Sequence, residues 1–85
     1  MSDFVEVSYG GYVQVPSVTH IIQIESSPIR KLIKRKRELD LVVDMTQGHK
    51  AKSILLHDTG VITISAWGVD VISRKLNDSR ILRKL

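Results

Sequence analysis

The apolar positions of this chain switch between a period of two and a helical period, and each switch marks an element. Phe4, Val5, Val7 and Tyr9 alternate loosely with polar neighbours, which predicts a first strand over residues 3–9, closed by Gly10-Gly11. Tyr12-Val13-Gln14-Val15 predicts a short second strand, stopped by Pro16, whose nitrogen has no hydrogen to give to a ladder. His20-Ile21-Ile22-Gln23-Ile24 is β-branched and apolar and predicts a third. Ser26-Ser27-Pro28 signals a helix start, because serine suits the cap and proline suits a first turn whose N–H groups have no partner. Ile29, Leu32 and Ile33 follow on one helical face.

Leu41-Val42-Val43-Asp44-Met45 predicts a buried strand and Thr46-Gln47-Gly48 a turn. Ser53–His57 and Val61–Ser65 predict a hairpin around Asp58-Thr59-Gly60. Val69, Ile72 and Leu76, at i, i+3 and i+7, predict a helix over residues 69–77. Asn77-Asp78-Ser79 is expected to interrupt it, leaving residues 77–85 as a short basic tail. Strands, helix, strands, helix is the order of an α+β fold. The expectation is a small single domain over residues 1–85: an antiparallel sheet, one central basic helix and a C-terminal helix.

At 85 residues and 9.6 kDa the chain has room for one small core. Such a chain buries roughly 60–65% of its unfolded surface and gains from association. Several short strands also leave sheet edges that a neighbouring copy would cover. A hydrophobic content of 42% excludes a disordered chain, and the absence of cysteine excludes disulfides, thiol nucleophiles and thiolate metal sites. With Phe4, Tyr9, Tyr12 and Trp67 as the aromatic residues, the core is expected to be aliphatic.

Thirteen Lys and Arg against nine Asp and Glu give a net charge of +4 and favour an anionic partner. Six of the eight residues from Arg30 to Arg37 are basic. With Ile29, Leu32 and Ile33 turned inward, Arg30, Lys31, Lys34 and Arg37 project outward, where they can neutralise phosphates. The plain alternative is a solvated helix face that keeps the protein soluble. Gly48-His49-Lys50-Ala51-Lys52 joins two predicted strands, so a basic pair and a histidine are expected on a hairpin tip. The plain alternative there is a polar turn. The remaining cations, Arg74, Lys75, Arg80, Arg83 and Lys84, are expected on the C-terminal helix and tail, facing solvent or a neighbouring subunit.

Catalysis has little to stand on. His20, His49 and His57 lack metal-ligand spacing, no serine sits in a nucleophile elbow, and neither GxGxxG nor GxxxxGK occurs. Asp40 and Asp44 read as a cap and a turn anchor, and Trp67 beside Gly68 reads as packing, with a stacking platform as the alternative. No enzyme activity, catalytic residue, metal, cofactor or small-molecule substrate is expected. No run reaches the roughly 18 apolar residues of a membrane span. The acidic Met1–Glu6 segment lacks the features of a signal peptide, so a cytoplasmic location is expected.

Two motifs carry a family resemblance: Glu25-Ser26-Ser27-Pro28-Ile29-Arg30-Lys31 and Asp44-Met45-Thr46-Gln47-Gly48. With Gly10-Gly11-Tyr12-Val13 and Ile62-Thr63-Ile64-Ser65-Ala66, they make residues 10–76 resemble the RemA family of bacterial extracellular-matrix regulatory proteins. That resemblance implies a DNA-binding transcriptional regulator of biofilm or matrix genes, associated with the nucleoid. It also implies a homo-oligomeric ring, a fold similar to LytTR-type domains, and DNA contacts around the ring. Family arginines fall on His20, His49 and Lys50, and a further basic position on Lys52. A lysine keeps the charge but not the planar fork of arginine. The expected DNA-binding set is His20, Arg30, Lys31, His49, Lys50 and Lys52, gathered on one outward surface; the partners are double-stranded DNA and further copies of the chain, with no membrane. The alternative is an oligomeric structural or protein-interaction module; RNA or an anionic membrane surface is a weaker one, since the apolar stripe is narrow.

Overall fold

A computed structural model describes residues 4–84, with side chains up to residue 79. It orders the chain as β1 (Phe4–Ser8), β2 (Gly11–Gln14), a 3-10 turn (Val15–Ser17), β3 (Val18–Gln23), α1 (Ser27–Glu38), β4 (Val42–Asp44), β5 (Ser53–His57), β6 (Ile62–Ser65) and α2 (Val69–Lys84). β1 and β2 pair antiparallel as a small ribbon; the other strands form a sheet in the order β3-β5-β6-β4. β5 runs antiparallel to both neighbours, and β4 joins the far edge parallel to β6. The result is a small α+β fold of two sheets and two helices, as the element order implies.

Alternation within β5 explains the layering. Leu55 is buried with Val7, Val13, Val15, Val18, Ile72 and Leu76, so β1, β2 and α2 cover one face of the sheet. Ile54 and Leu56 turn the other way, with Ile62 and Ile64, toward Ile29, Leu32 and Ile33 of α1. Both cores are aliphatic, and their opposite facing follows from the period of two.

The segment between β4 and β5 is not the expected hairpin tip. The turn at Asp58-Thr59-Gly60, with Gly60 at φ 92°, sets β6 against one edge of β5, while β3 takes the other. β4 is left the outer edge of β6, so residues 45–52 cross over the end of the sheet.

α1 begins where the Ser-Ser-Pro signal puts it, with Ser26 at the cap and proline in the first turn, although no serine side chain bonds the free N–H groups. It stops at Asp40, which takes φ 59°. The Asp40 N–H donates to the Arg37 carbonyl (3.0 Å) and the Leu41 N–H to the Lys36 carbonyl (2.9 Å). This is the paired-bond helix stop that usually holds glycine. The Lys36 ammonium donates to the Gly60 carbonyl (2.9 Å) and pins the helix to the β5–β6 turn.

α2 continues through Asn77-Asp78-Ser79 instead of breaking there. These residues each cost only about 0.5 kcal/mol of helix propensity relative to alanine. Neither glycine nor proline intervenes, and burial of Ile72 and Leu76 outweighs that cost. The side chains of residues 80–84 and the whole of Leu85, expected in a basic tail, lie outside the described residues.

Gly11 fits where a side chain does not. A Cβ there would lie 2.9 Å from both Cβ and Cγ of Met45. Gly11→Ala is therefore expected to lose about 1–3 kcal/mol by overpacking, read as a lower urea midpoint with unchanged slope.

Candidate nucleic-acid interface

The loop after β4 is built on Asp44, the last residue of that strand. Asp44 Oδ1 accepts from the Thr46 N–H (2.9 Å) and the Thr46 hydroxyl (2.7 Å), and the His49 N–H donates to the Thr46 carbonyl (3.0 Å). Gln47 and Gly48 take φ 50° and 83° to close the turn. The Thr46 bonds, the hydroxyl first, hold the Asp44 carboxyl below its ordinary value, helped by the Arg37 guanidinium. Arg37 lies 3.7 Å away, but both partners are about half exposed, so the pair adds at most about 1 kcal/mol. Gln47 Nε2 donates to the Tyr9 carbonyl (2.9 Å), and the His49 ring stacks on Tyr9 with centroids 4.2 Å apart. The loop is thereby clipped onto the β1–β2 turn.

Trp67 stands beside this clip. Its ring meets Tyr9 edge-on at 5.8 Å, and Lys75 Nζ of α2 sits 5.0 Å over it. A chain of fully buried serines fixes the Trp67 backbone. The Ser53 hydroxyl donates to the Trp67 carbonyl (2.7 Å), and the Trp67 N–H donates to Ser65 Oγ (2.9 Å). The Ser65 hydroxyl donates to the Val7 carbonyl, and the Ala66 N–H to Ser8 Oγ (3.1 Å). Tyr9, Lys52, Ala66, Trp67, Gly68, Val71 and Lys75 line a groove of about 290 Å³.

A second groove opens on the opposite face. Arg30, Lys34 and Arg37 of α1 stand around a space of about 400 Å³ lined by Ile24, Ile33, Ala51 and Ile64. Lys31 is exposed next to Arg30 on the same helix. α1 contributes no fully buried residue, and the incomplete cover it gives the sheet is what leaves this apolar floor open.

The expected single surface is thus divided. Arg30 lines the α1 groove, Lys52 lines the α2 groove, and the sheet lies between them. The two grooves share one end of the sheet: the Ile24 N–H donates to the Lys52 carbonyl (3.1 Å) just before α1 begins, and exposed His49 and Lys50 occupy the crossover there. His20 is not brought to them. On β3 it pairs with Leu56 of β5, four positions along that strand from Lys52, or roughly 13 Å. Its ring bonds Thr19 (3.0 Å). Tyr9, Trp67 and Lys75 enter the site without any local sequence signal beyond an aromatic beside glycine, because β1, β6 and α2 meet only in the fold.

His57 serves the fold. Its Nδ1 lies 2.8 Å from Ser17 Oγ and its Nε2 2.8 Å from Thr63 Oγ1, so the ring bridges the 3-10 turn and β6. Burial pushes its pKa below the ordinary 6.5, opposed by Asp58. The folded protein therefore takes up this proton less readily than the unfolded chain, so the stabilising effect is complete above pH 6.5 and is lost as pH falls through the lowered value. Melting temperature is expected to fall between about pH 7 and about pH 5, and His57→Gln to flatten that dependence. Equal slopes in the two proteins would contradict this role.

Among the described residues, no group of three or more His, Cys, Asp or Glu is placed to hold a metal ion, and no helix is long and apolar enough to cross a membrane. Residues 4–76 match the family described as extracellular matrix regulatory protein A-like. Relatives named as candidate regulatory proteins occur in Bacillus cytotoxicus, Bacillus mycoides and Bacillus anthracis. Each is 28% identical over 75 residues, covering 88% of this chain and 86% of the relative. The family match runs from β1 into α2 and takes in both the Ser-Pro helix start and the Asp44–Gly48 loop, and the chain belongs to the RemA-like family.

Proposed function

We propose that this chain is a DNA-binding regulator that acts as a homo-oligomer in the cytoplasm. The observation that supports the reading is a set of uncompensated cations on α1 and on the crossover, which flank the sheet from its two faces. Among the described residues Arg37–Asp44 is the ion pair formed, which leaves Arg30, Lys31, Lys34, Lys50 and Lys52 to face an external anion. Duplex DNA presents one phosphate charge per about 1.7 Å of axis and rewards such spacing through counterion release. In this reading a duplex lies across the sheet end, with α1 on one flank and the His49–Lys52 crossover on the other. His20, set apart on β3, serves at most the margin of a longer contact.

Association supplies the rest. β3 and β4 are the outer strands of the larger sheet, and Leu39 before β4 and Val43 within it are 60% and 45% accessible. Edges of this kind invite pairing with another copy. Head-to-tail contacts that close on themselves make a ring. Repetition then raises affinity by about 10²–10⁴ over one weak site.

The apolar floor of the α1 groove favours one other reading, an interaction module that takes an acidic, amphipathic protein segment between Arg30, Lys34 and Arg37. Light scattering combined with titration of labelled duplex DNA and single-stranded RNA separates the two. The regulator is expected to run as an assembly and to prefer the duplex. A 9.6 kDa particle overturns the assembly, and a flat duplex titration at about 50 mM salt favours the interaction module.

A further inference from the structure

The α2-side groove has a chemistry that phosphate binding on a duplex does not use. Duplex phosphates need cations at a surface, whereas this groove sets two aromatic rings at right angles with an imidazole stacked behind one of them. Tyr9 and Trp67 meet at 76°, and His49 backs Tyr9. Lys52, Lys75 and Gly68 line the same groove. Of the acidic groups around it, Asp70 lies beside Gly68 in the first turn of α2, and Glu6 is engaged by the Gly10 N–H (2.9 Å) next to Tyr9.

We infer that this groove binds a single nucleotide unit, its base against the Tyr9 and Trp67 rings and its phosphate between Lys52 and Lys75. Three features select that class. Aromatic rings grip any base through its π-face, typically with about 1–3 kcal/mol per stacked base. The paired ammonium groups ask for an anion at the rim of that ring system, and Lys75, poised over Trp67, can turn from the ring to a phosphate without leaving the groove. A groove of about 290 Å³ has room for one base beside the rings, and its open side leaves space for the rest of the nucleotide. The serine network that holds the Trp67 backbone keeps the ring wall preformed.

The nucleotide can come from solution or from an unpaired position in a strand. Trp67 is the single tryptophan of the chain and reports directly on the groove. Its fluorescence is titrated with adenosine monophosphate, adenosine, inorganic phosphate and a short single-stranded oligonucleotide. The monophosphate is expected to quench saturably and at least tenfold more tightly than adenosine, with phosphate alone leaving the signal unchanged. Lys52→Gln with Lys75→Gln is expected to bring the monophosphate down to the adenosine level, and Tyr9→Ala to weaken both. Tighter binding of the oligonucleotide assigns the site to strands; tighter binding of the monophosphate assigns it to a free ligand. No saturable change with either nucleotide, or equal affinity for adenosine and its monophosphate, overturns the inference. The groove shares Lys52 with the duplex reading, and Lys50→Glu keeps the two apart: Lys50 does not line the groove, so its reversal is expected to weaken duplex binding while leaving the monophosphate quench intact.

Discussion

Lys50→Glu combined with Lys52→Glu is expected to abolish retention of duplex DNA and to leave the size of the assembly unchanged. Each reversal removes a positive charge from the crossover and puts a negative one in its place. Each phosphate that is no longer neutralised makes the slope of log affinity against log salt shallower by about 0.9. Both residues are exposed and neither sits in the aliphatic cores, so the substitutions have no route to the fold. A matched Arg30→Glu, Lys34→Glu protein probes the other flank, because these residues line the groove on the opposite face of the sheet. This pair is also expected to weaken binding, by at least tenfold. Full binding by the crossover variant removes His49, Lys50 and Lys52 from the interface; full binding by the helix variant confines the duplex to the α2 side.

Ser65→Ala is expected to cost about 2–4 kcal/mol, a large share of the about 4–13 kcal/mol that a chain of this size has to lose. The Ser65 hydroxyl is fully buried and serves two partners, donating to the Val7 carbonyl and accepting from the Trp67 N–H. Truncation strands the buried Val7 carbonyl, at about 1–3 kcal/mol, and unpairs the part-buried Trp67 N–H at about 1 kcal/mol. Ser73→Ala is the control: its hydroxyl donates to the Asp70 carbonyl at 3.2 Å on the outside of α2, and its loss is expected to stay within about 0.5 kcal/mol. Chemical denaturation reads both values. Because Ser65 holds Trp67, the variant is also expected to shift the tryptophan emission to the red before global unfolding. Equal midpoints for Ser65→Ala and Ser73→Ala would contradict the serine network as a support of the site.

Local signals are legible in the sequence and long-range ones are not. Ser26-Ser27-Pro28 fixes the start of α1 because capping and proline chemistry act within one turn. Asp58-Thr59-Gly60 fixes the β5–β6 hairpin for the same reason. The partner of β4 is decided by which edges β5 has free, so its parallel place beside β6 has no trace in Val42-Val43-Asp44. The same gap puts His49–Lys52 on a hairpin tip and joins Lys52 to Arg30 on a single surface, and the fold does neither. Asn77-Asp78-Ser79 looks like a helix stop by propensity, and burial of the preceding Leu76 overrides it. Trp67 reads as packing because its neighbours Tyr9 and Lys75 are remote in the chain. The Asp44–Gly48 motif can be matched to a family from the sequence, but its physical work, a Thr46-bonded turn clipped to Tyr9, emerges only in three dimensions.

Duplex affinity measured between about 50 mM and about 200 mM salt tests the central claim most directly. With four or more cations on phosphates, the expected slope is near −3.6 or steeper, and so affinity drops by at least about a hundredfold over that range. A slope near zero, with binding present throughout, would contradict it.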